Sequence, residues 1–325
     1  METENILIDT GNRFSLFPIK YDNIWKRYKT AVSAFWTVEE VDLSKDIDDW
    51  NNKLSDNEKT FIKNILGFFS QSDGIVNENL VLRFYNDVKI PEARAFYTFQ
   101  MSIESVHSEM YSLMIDTFVK DTVEKNKLFD AINTIPCIAK KAQWALKWIE
   151  DTEASFAMRL FAFAIVEGLY FSASFCSIAW LKDRNIMPGL CLSNSFIMRD
   201  ENSHYEMACE LYAMLKDKIS PKEAHSILKE AATIEIEFIT ESIPCNMIGM
   251  NQTLMEEYVK YVADRIAVQF GYVPIYDASN PFPFMDKFSL ENKTNFFESR
   301  VSEYAKANVG GGGQNAYTFT IADDF

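Results

Sequence analysis

The sequence predicts an all-α fold, a bundle of long helices, from three observations. No segment alternates apolar and polar residues with period two for long enough to make a core strand. Helix-start signals recur along the chain: S-x-x-E at Ser55–Glu58 and Ser220–Glu223, and prolines at first-turn positions at Pro91, Pro136 and Pro221. The run RLFAFAIVEGLYFSASFCSIAWLK, residues 159 to 182, reads as one long apolar helix. Its 22 residues between Arg159 and Lys182 hold a single charge, Glu167.

The elements follow in order. The capping box at Ser55 opens a helix to about Asp87, and Pro91 one to about Lys120. A shorter helix covers 122 to 133, and Pro136 opens another to Glu150. The apolar helix runs from about 153 to 182 and stops at the turn signal Met187-Pro188-Gly189. Helices follow from about Ser193 to Lys218, from Ser220 to Ile243, from 252 to 270 before Gly271, and from 290 to 306. The longest approach 28 residues, about 40 Å at 1.5 Å per residue, which is the length of a large bundle. No Ser/Gly/Pro linker interrupts residues 20 to 300. The expected organisation is therefore one helical domain over 1–305, with an N-terminal arm to about residue 20. A tail over 306–325 follows, hinged at the glycines 310 to 313.

Composition bounds the function. The 325 residues are 48% hydrophobic, enough for a sizeable core, and the formal net charge of −15 repels phosphate backbones, which argues against nucleic acid. Five cysteines with no CxxC pair read as small buried hydrophobes in a reducing compartment, and no secretory signal opens the chain, so the expected location is cytoplasmic. The run at 159–182 is long enough to span a bilayer. Glu167, three serines and the lack of a one-sided basic flank favour a buried core helix instead.

That reading leaves Glu167 to be explained, because an unpaired buried carboxylate is costly. Two of the three histidines follow a glutamate by three residues, in Glu104-Ser-Val-His107 and Glu201-Asn-Ser-His204; the third is His225. On a helix, i and i+3 share a face, so each pair aims a carboxylate and an imidazole at one point. Ferritin-like di-iron bundles combine two such helices with one carboxylate from each of two more. Glu167 supplies one, and Asp73, on an apolar stripe with Phe69 and Val76, supplies the other, with Glu78 an alternative by position. Four carboxylates and two imidazoles without thiolate suit two iron or manganese ions. Tyr111 lies one turn beyond His107 on the same stripe, and Phe171 and Phe175 continue the stripe of Glu167. Singly each of these fits ordinary core packing; together they describe a dry site beside an oxidisable phenol.

The sequence resembles the small subunit of class I ribonucleotide reductase of eukaryotes and their large DNA viruses. The resemblance rests on FWTVEEVDLSKD (35–46), SDGIVNENL (72–80), IESVHSEMYSLMIDT (103–117), VEGLYFSASF (166–175), MPGL (187–190), RDENSH (199–204), NPFPFM (280–285) and KTNFFESRVSEY (293–304). It implies a ferritin-like fold with two iron ions, Asp73, Glu104 and His107 holding one and Glu167, Glu201 and His204 the other. It also implies O2 activation, a stable radical on Tyr111 in the Phe171/Phe175 pocket, and a transfer path through Trp36, Asp200, His107 and Tyr304. A homodimer is implied as well, docking on the large subunit through Phe319–Phe325. The ending here, FTIADDF, departs from the family's common FTLDADF, which bears on docking affinity. The alternatives are a ferritin-like ferroxidase, which needs neither Tyr111, Trp36 nor the acidic tail, and a di-metal oxidase or desaturase, which needs an apolar channel that Phe171 and Phe175 close.

Overall fold

The structure, a computed structural model, describes residues 6–8, 15–242 and 250–285. By compactness the chain divides into Met1–Phe284 and Met285–Phe325. The expected boundary near residue 305, the helix at 290–306, Cys245, Tyr304 and Phe319–Phe325 lie outside the described residues. Among those described the fold is all-α, with no sheet.

Two short helices come first, α1 (Asp22–Ser33) and α2 (Ser44–Asn52), neither of them anticipated. α3 (Asp56–Asn79) starts where expected, with the Ser55 amide donating to Glu58 and the Glu58 amide to Ser55 Oγ. It passes through a π turn, Leu80–Phe84, into α4 (Tyr85–Asp87). α5 (Pro91–Phe118) is a 28-residue helix, and the stretch expected as one helix at 122–133 breaks into α6 (Thr122–Phe129) and α7 (Ala131–Thr134). α8 (Pro136–Glu150) leads to the apolar element. That element is α9 (Phe156–Ile165), a π turn at Val166–Tyr170, and α10 (Ser172–Asp183).

α11 (Pro188–Ala213) corrects the expected span of 193 to 218. Met187-Pro188-Gly189 is the helix start rather than a detached turn, with Met187 left-handed at φ 55° and Pro188 in the first turn. α12 (Pro221–Ser242) carries the second capping pair, Ser220 with Glu223, and α13 (Gln252–Gln269) ends before Gly271 at φ +85°.

α3 packs most extensively on α5, and α11 lies against α5, α9, α10 and the second π turn. These elements enclose the core. The run Phe156–Asp183 is apolar and long enough to cross a membrane, but 89% of its most apolar window is buried inside the protein, so it is the central core helix. Cys137, Cys176 and Cys191 are buried free thiols, and Cys209 is a half-buried one.

Candidate metal centre and radical site

α5 presents Gln100, Glu104, His107 and Tyr111 along one stripe, at the i, i+4, i+7, i+11 spacing of a helix face. α11 presents Asp200, Glu201 and His204, α3 presents Phe69 and Asp73, and the second π turn presents Glu167. A π turn widens the helix by one residue and is frequent at functional sites. Here it sets Glu167 apart from the regular register of α9.

All six expected ligands are buried, none more than 3% exposed. They meet in two groups whose donor atoms lie within 4.8 Å of one another: Asp73, Glu104 and His107 in one, Glu104, Glu167, Glu201 and His204 in the other. Glu104 belongs to both. His107 Nδ1 is 3.3 Å from Glu104 Oε2 and 3.1 Å from Glu201 Oε1, while His204 Nδ1 is 3.0 Å from Glu104 Oε1 and 3.2 Å from Glu201 Oε2. Glu78, the alternative to Asp73, is exposed.

The donor set fits a pair of cations. Asp73 Oδ2, Glu104 Oε2, Glu167 Oε2 and His107 Nδ1 are buried with no hydrogen-bond partner, although His107 Nδ1 stands close to two carboxylates. Short separations without hydrogen-bond geometry are what lone pairs converging on a shared point produce. Burial and the neighbouring charge of Glu104 push the Asp73 carboxyl well above its usual range, and burial with Glu201 does the same to Glu167. Burial opposes a charged His204, but Glu104 and Glu201 outweigh it and lift the imidazole to about 9. Uncompensated charge is costly at this depth, and two divalent cations would balance the four carboxylates.

The surroundings orient the ligands. His107 Nε2 donates to Asp200 Oδ2 at 3.1 Å, which turns the Nδ1 lone pair toward the carboxylates. Trp36 Nε1 donates to the same oxygen at 2.8 Å, and its ring stacks on His107 at 6.0 Å and 24°. Asp200 thus joins Trp36 to His107. Tyr111 is buried and stacks on Phe69 at 4.6 Å, and Phe69 in turn packs on Phe171 at 5.7 Å and Phe175 at 5.3 Å. Burial and the charge of Asp73 hold the Tyr111 hydroxyl well above the usual phenol range, so it stays protonated. His225 lies elsewhere, its Nε2 3.0 Å from the Val273 carbonyl oxygen.

Three residues were missed by sequence reasoning. Gln100 Nε2 donates to Glu167 Oε1 at 3.0 Å, Arg199 forks onto Asp200 Oδ1 at 2.7 and 3.0 Å, and Phe69 is the ring stacked on Tyr111. Each had a weak signal: Gln100 is one turn before Glu104, Arg199 adjoins Asp200, and Phe69 is one turn before Asp73.

The profile of the family described as "Ribonucleotide reductase, small chain" matches residues 13–281. The protein belongs to this family. The ribonucleoside-diphosphate reductase small subunit of Dictyostelium discoideum is 52% identical over 328 residues, covering 99% of this protein and 97% of its own length. The ribonucleoside-diphosphate reductase small chain of Variola virus is 56% identical over 306 residues, covering 94% and 95%. Among solved structures, the ribonucleotide reductase Rnr4 homodimer of Saccharomyces cerevisiae superposes with a TM-score of 0.80 at 38% identity, covering 92% of each chain. The R2 subunit of Clostridium botulinum, at 23% identity and a TM-score of 0.79 over 89% of this protein and 99% of its own length, shares the ferritin-like bundle fold. The small subunit described here is accordingly part of an oxidoreductase, ribonucleoside-diphosphate reductase, and implies a large-subunit partner.

Proposed function

We propose that this small subunit generates and stores a radical on Tyr111 and passes its oxidising equivalent to the large subunit, which reduces ribonucleotides to deoxyribonucleotides. The observation that carries the reading is the convergence of six buried ligands, four of their atoms unpartnered, one helical turn from a buried protonated phenol. Asp73, Glu104 and His107 would hold one iron ion and Glu167, Glu201 and His204 the other, with Glu104 in reach of both. When bound, the two ferrous ions would give two electrons to O2, and O2 would supply the oxidising power needed at the phenol, which gives a third electron while the fourth arrives by the Trp36 route.

The protein's own residues do the rest. Tyr111 gives up a hydrogen atom, and the high position of its phenol means proton and electron leave together. Phe69, Phe171 and Phe175 wall the site with rings that lack an easily lost hydrogen, and they exclude water. Trp36, Asp200 and His107 give a hydrogen-bonded route for an electron between the site and the segment that joins α1 to α2. Tyr304 continues that route, and Phe319–Phe325 docks on the large subunit. The core pairs with a second copy, as the Rnr4 homodimer does, in the cytoplasm.

Electron paramagnetic resonance of iron-loaded, air-exposed protein tests this. The expected result is a tyrosyl signal that disappears in Tyr111→Phe while the iron content is unchanged. Iron uptake with no radical in the parent protein points to a ferroxidase instead.

A further inference from the structure

A second buried charge cluster lies beside the metal centre and contributes no ligand to it. Lys141 on α8 and Glu235 on α12 are both fully buried, with Nζ 2.6 Å from Glu235 Oε2. Nζ also donates to the backbone carbonyl of Tyr170 at 2.6 Å. The ammonium sits over the rings of Phe68 and Phe238, 3.5 and 4.0 Å from their centroids. Phe68 packs against Phe69 and Phe171, both 5.7 Å away, so the cluster reaches the aromatic wall of Tyr111.

A buried ion pair is a weak stabiliser, because desolvation offsets its attraction, and apolar residues of the same shape commonly do as well. The bond to the Tyr170 carbonyl is the informative one. Tyr170 closes the π turn Val166–Tyr170, the widened coil that carries Glu167. Such an insertion does not hold itself: irregular helix turns persist where side chains meet their backbone groups. On one side this turn is fixed by contact, since a Cβ on Gly168 would stand 2.9 Å from the ring of Tyr205 on α11. On the other side Val166 and Tyr170 border a cleft lined also by Phe68, Ser72, Lys141 and Ala145, where packing is not continuous. The polar tie across that side is Lys141.

We propose that Lys141, held by Glu235, is a positioning residue for the metal centre: by binding the Tyr170 carbonyl it fixes the π turn that aims Glu167 at Glu104, Glu201 and His204. The role rests on the metal-centre reading above, and it predicts that the geometry of Glu167 and the stability of the protein respond separately to changes at the pair.

The test uses full-length, metal-free protein in three forms: parent, Lys141→Met/Glu235→Leu, and Glu235→Gln. Two readouts are followed, amide hydrogen exchange at residues 166–171 and titration with Mn(II) read by the loss of its free resonance. The double variant is expected to unfold at the parent's temperature or above, yet to exchange about tenfold or more faster at 166–171, with α5 and α11 unchanged. It is expected to bind one of its two Mn(II) ions about 10–100-fold more weakly. Glu235→Gln keeps the Lys141 donor, so it should lose stability while exchange at 166–171 and Mn(II) binding stay close to the parent's. Parent protein that takes up no Mn(II) sinks the metal centre itself. Parent protein that binds two ions, beside a double variant that binds two equally well with unchanged exchange, removes the role of Lys141 alone, as does metal binding that falls in step with stability in Glu235→Gln.

Discussion

At Asp200 one carboxylate serves three partners. Its Oδ2 accepts from Trp36 and His107, and its Oδ1 accepts the fork of Arg199, whose Nη2 also reaches the Ala34 carbonyl at 2.7 Å. Burial pushes this carboxyl up, but Arg199 and His107 outweigh it and keep it ionised. A fixed negative charge there holds the His107 tautomer and gives Trp36 an acceptor that strengthens as the indole loses an electron. Trp36→Phe keeps a ring against His107 but removes the N–H and the oxidisable indole. Metal content should then remain at the parent level, while turnover with a large subunit falls by about 10–100-fold; equal turnover would take Trp36 out of the path. The sequence exposed much of this site because Glu-x-x-His spacing fixes a shared helix face before any neighbour is known. It left Asp73 and Glu78 open, since both lie on α3 and only its packing on α5 buries one and exposes the other. Gln100 and Arg199 escaped notice because the partner of a long polar side chain depends on where the next helix sits.

Between elements, charge is placed where helices start or break. Two carboxylates of α2 receive the first turn of α11: Asp46 accepts from the amides of Gly189 and Leu190 at 2.8 and 2.7 Å, and Asp49 from that of Met187 at 2.8 Å. The unpaired amides of a helix N-terminus favour anions, so this contact sets the start of the helix that carries Glu201 and His204. It needs close approach. A Cβ on Gly189 would lie 2.6 Å from the Asp42 carbonyl oxygen, a backbone atom with little freedom to move. Gly189→Ala should therefore cost about 1–3 kcal/mol in denaturant unfolding, with the slope unchanged.

The Lys141–Glu235 pair gives a pH signature of the same kind. Burial lifts Glu235 from 4.5 to about 7 and lowers Lys141 from 10.5 to about 8. A carboxyl raised on folding loses stability as pH climbs from 4.5 to about 7, and an ammonium lowered on folding regains it from about 8 to 10.5. The pair is least favourable between 7 and 8. The gain from Lys141→Met/Glu235→Leu, about 1–4 kcal/mol at most, should peak in that window and shrink on both sides in unfolding curves taken across pH. A gain that does not vary with pH would mean the two groups are not shifted. At this scale the sequence was legible where caps and first-turn prolines punctuate it. It was silent on α1 and α2, which are short and polar. It was silent too on both π turns, because one inserted residue leaves an apolar run looking unbroken.

For the whole molecule, the proposed function separates generating the radical from delivering it. The six expected ligands, Tyr111 and its aromatic wall belong to helices within Met1–Phe284. The proposed function places the nucleotide on the large subunit, so it requires the oxidising equivalent to leave this one. The segment FTIADDF carries two phenylalanines and two aspartates, an anchor pattern that pairs apolar burial with charge steering. Removing Phe319–Phe325 should accordingly leave iron content and the Tyr111 signal at parent levels while abolishing reductase activity with a large subunit. Raising the salt concentration should weaken the intact protein's association with that subunit, because the aspartate contribution is screened. A truncated protein that keeps full activity would show that delivery uses the helical unit itself, and the docking site would then have to be sought on the faces of the bundle.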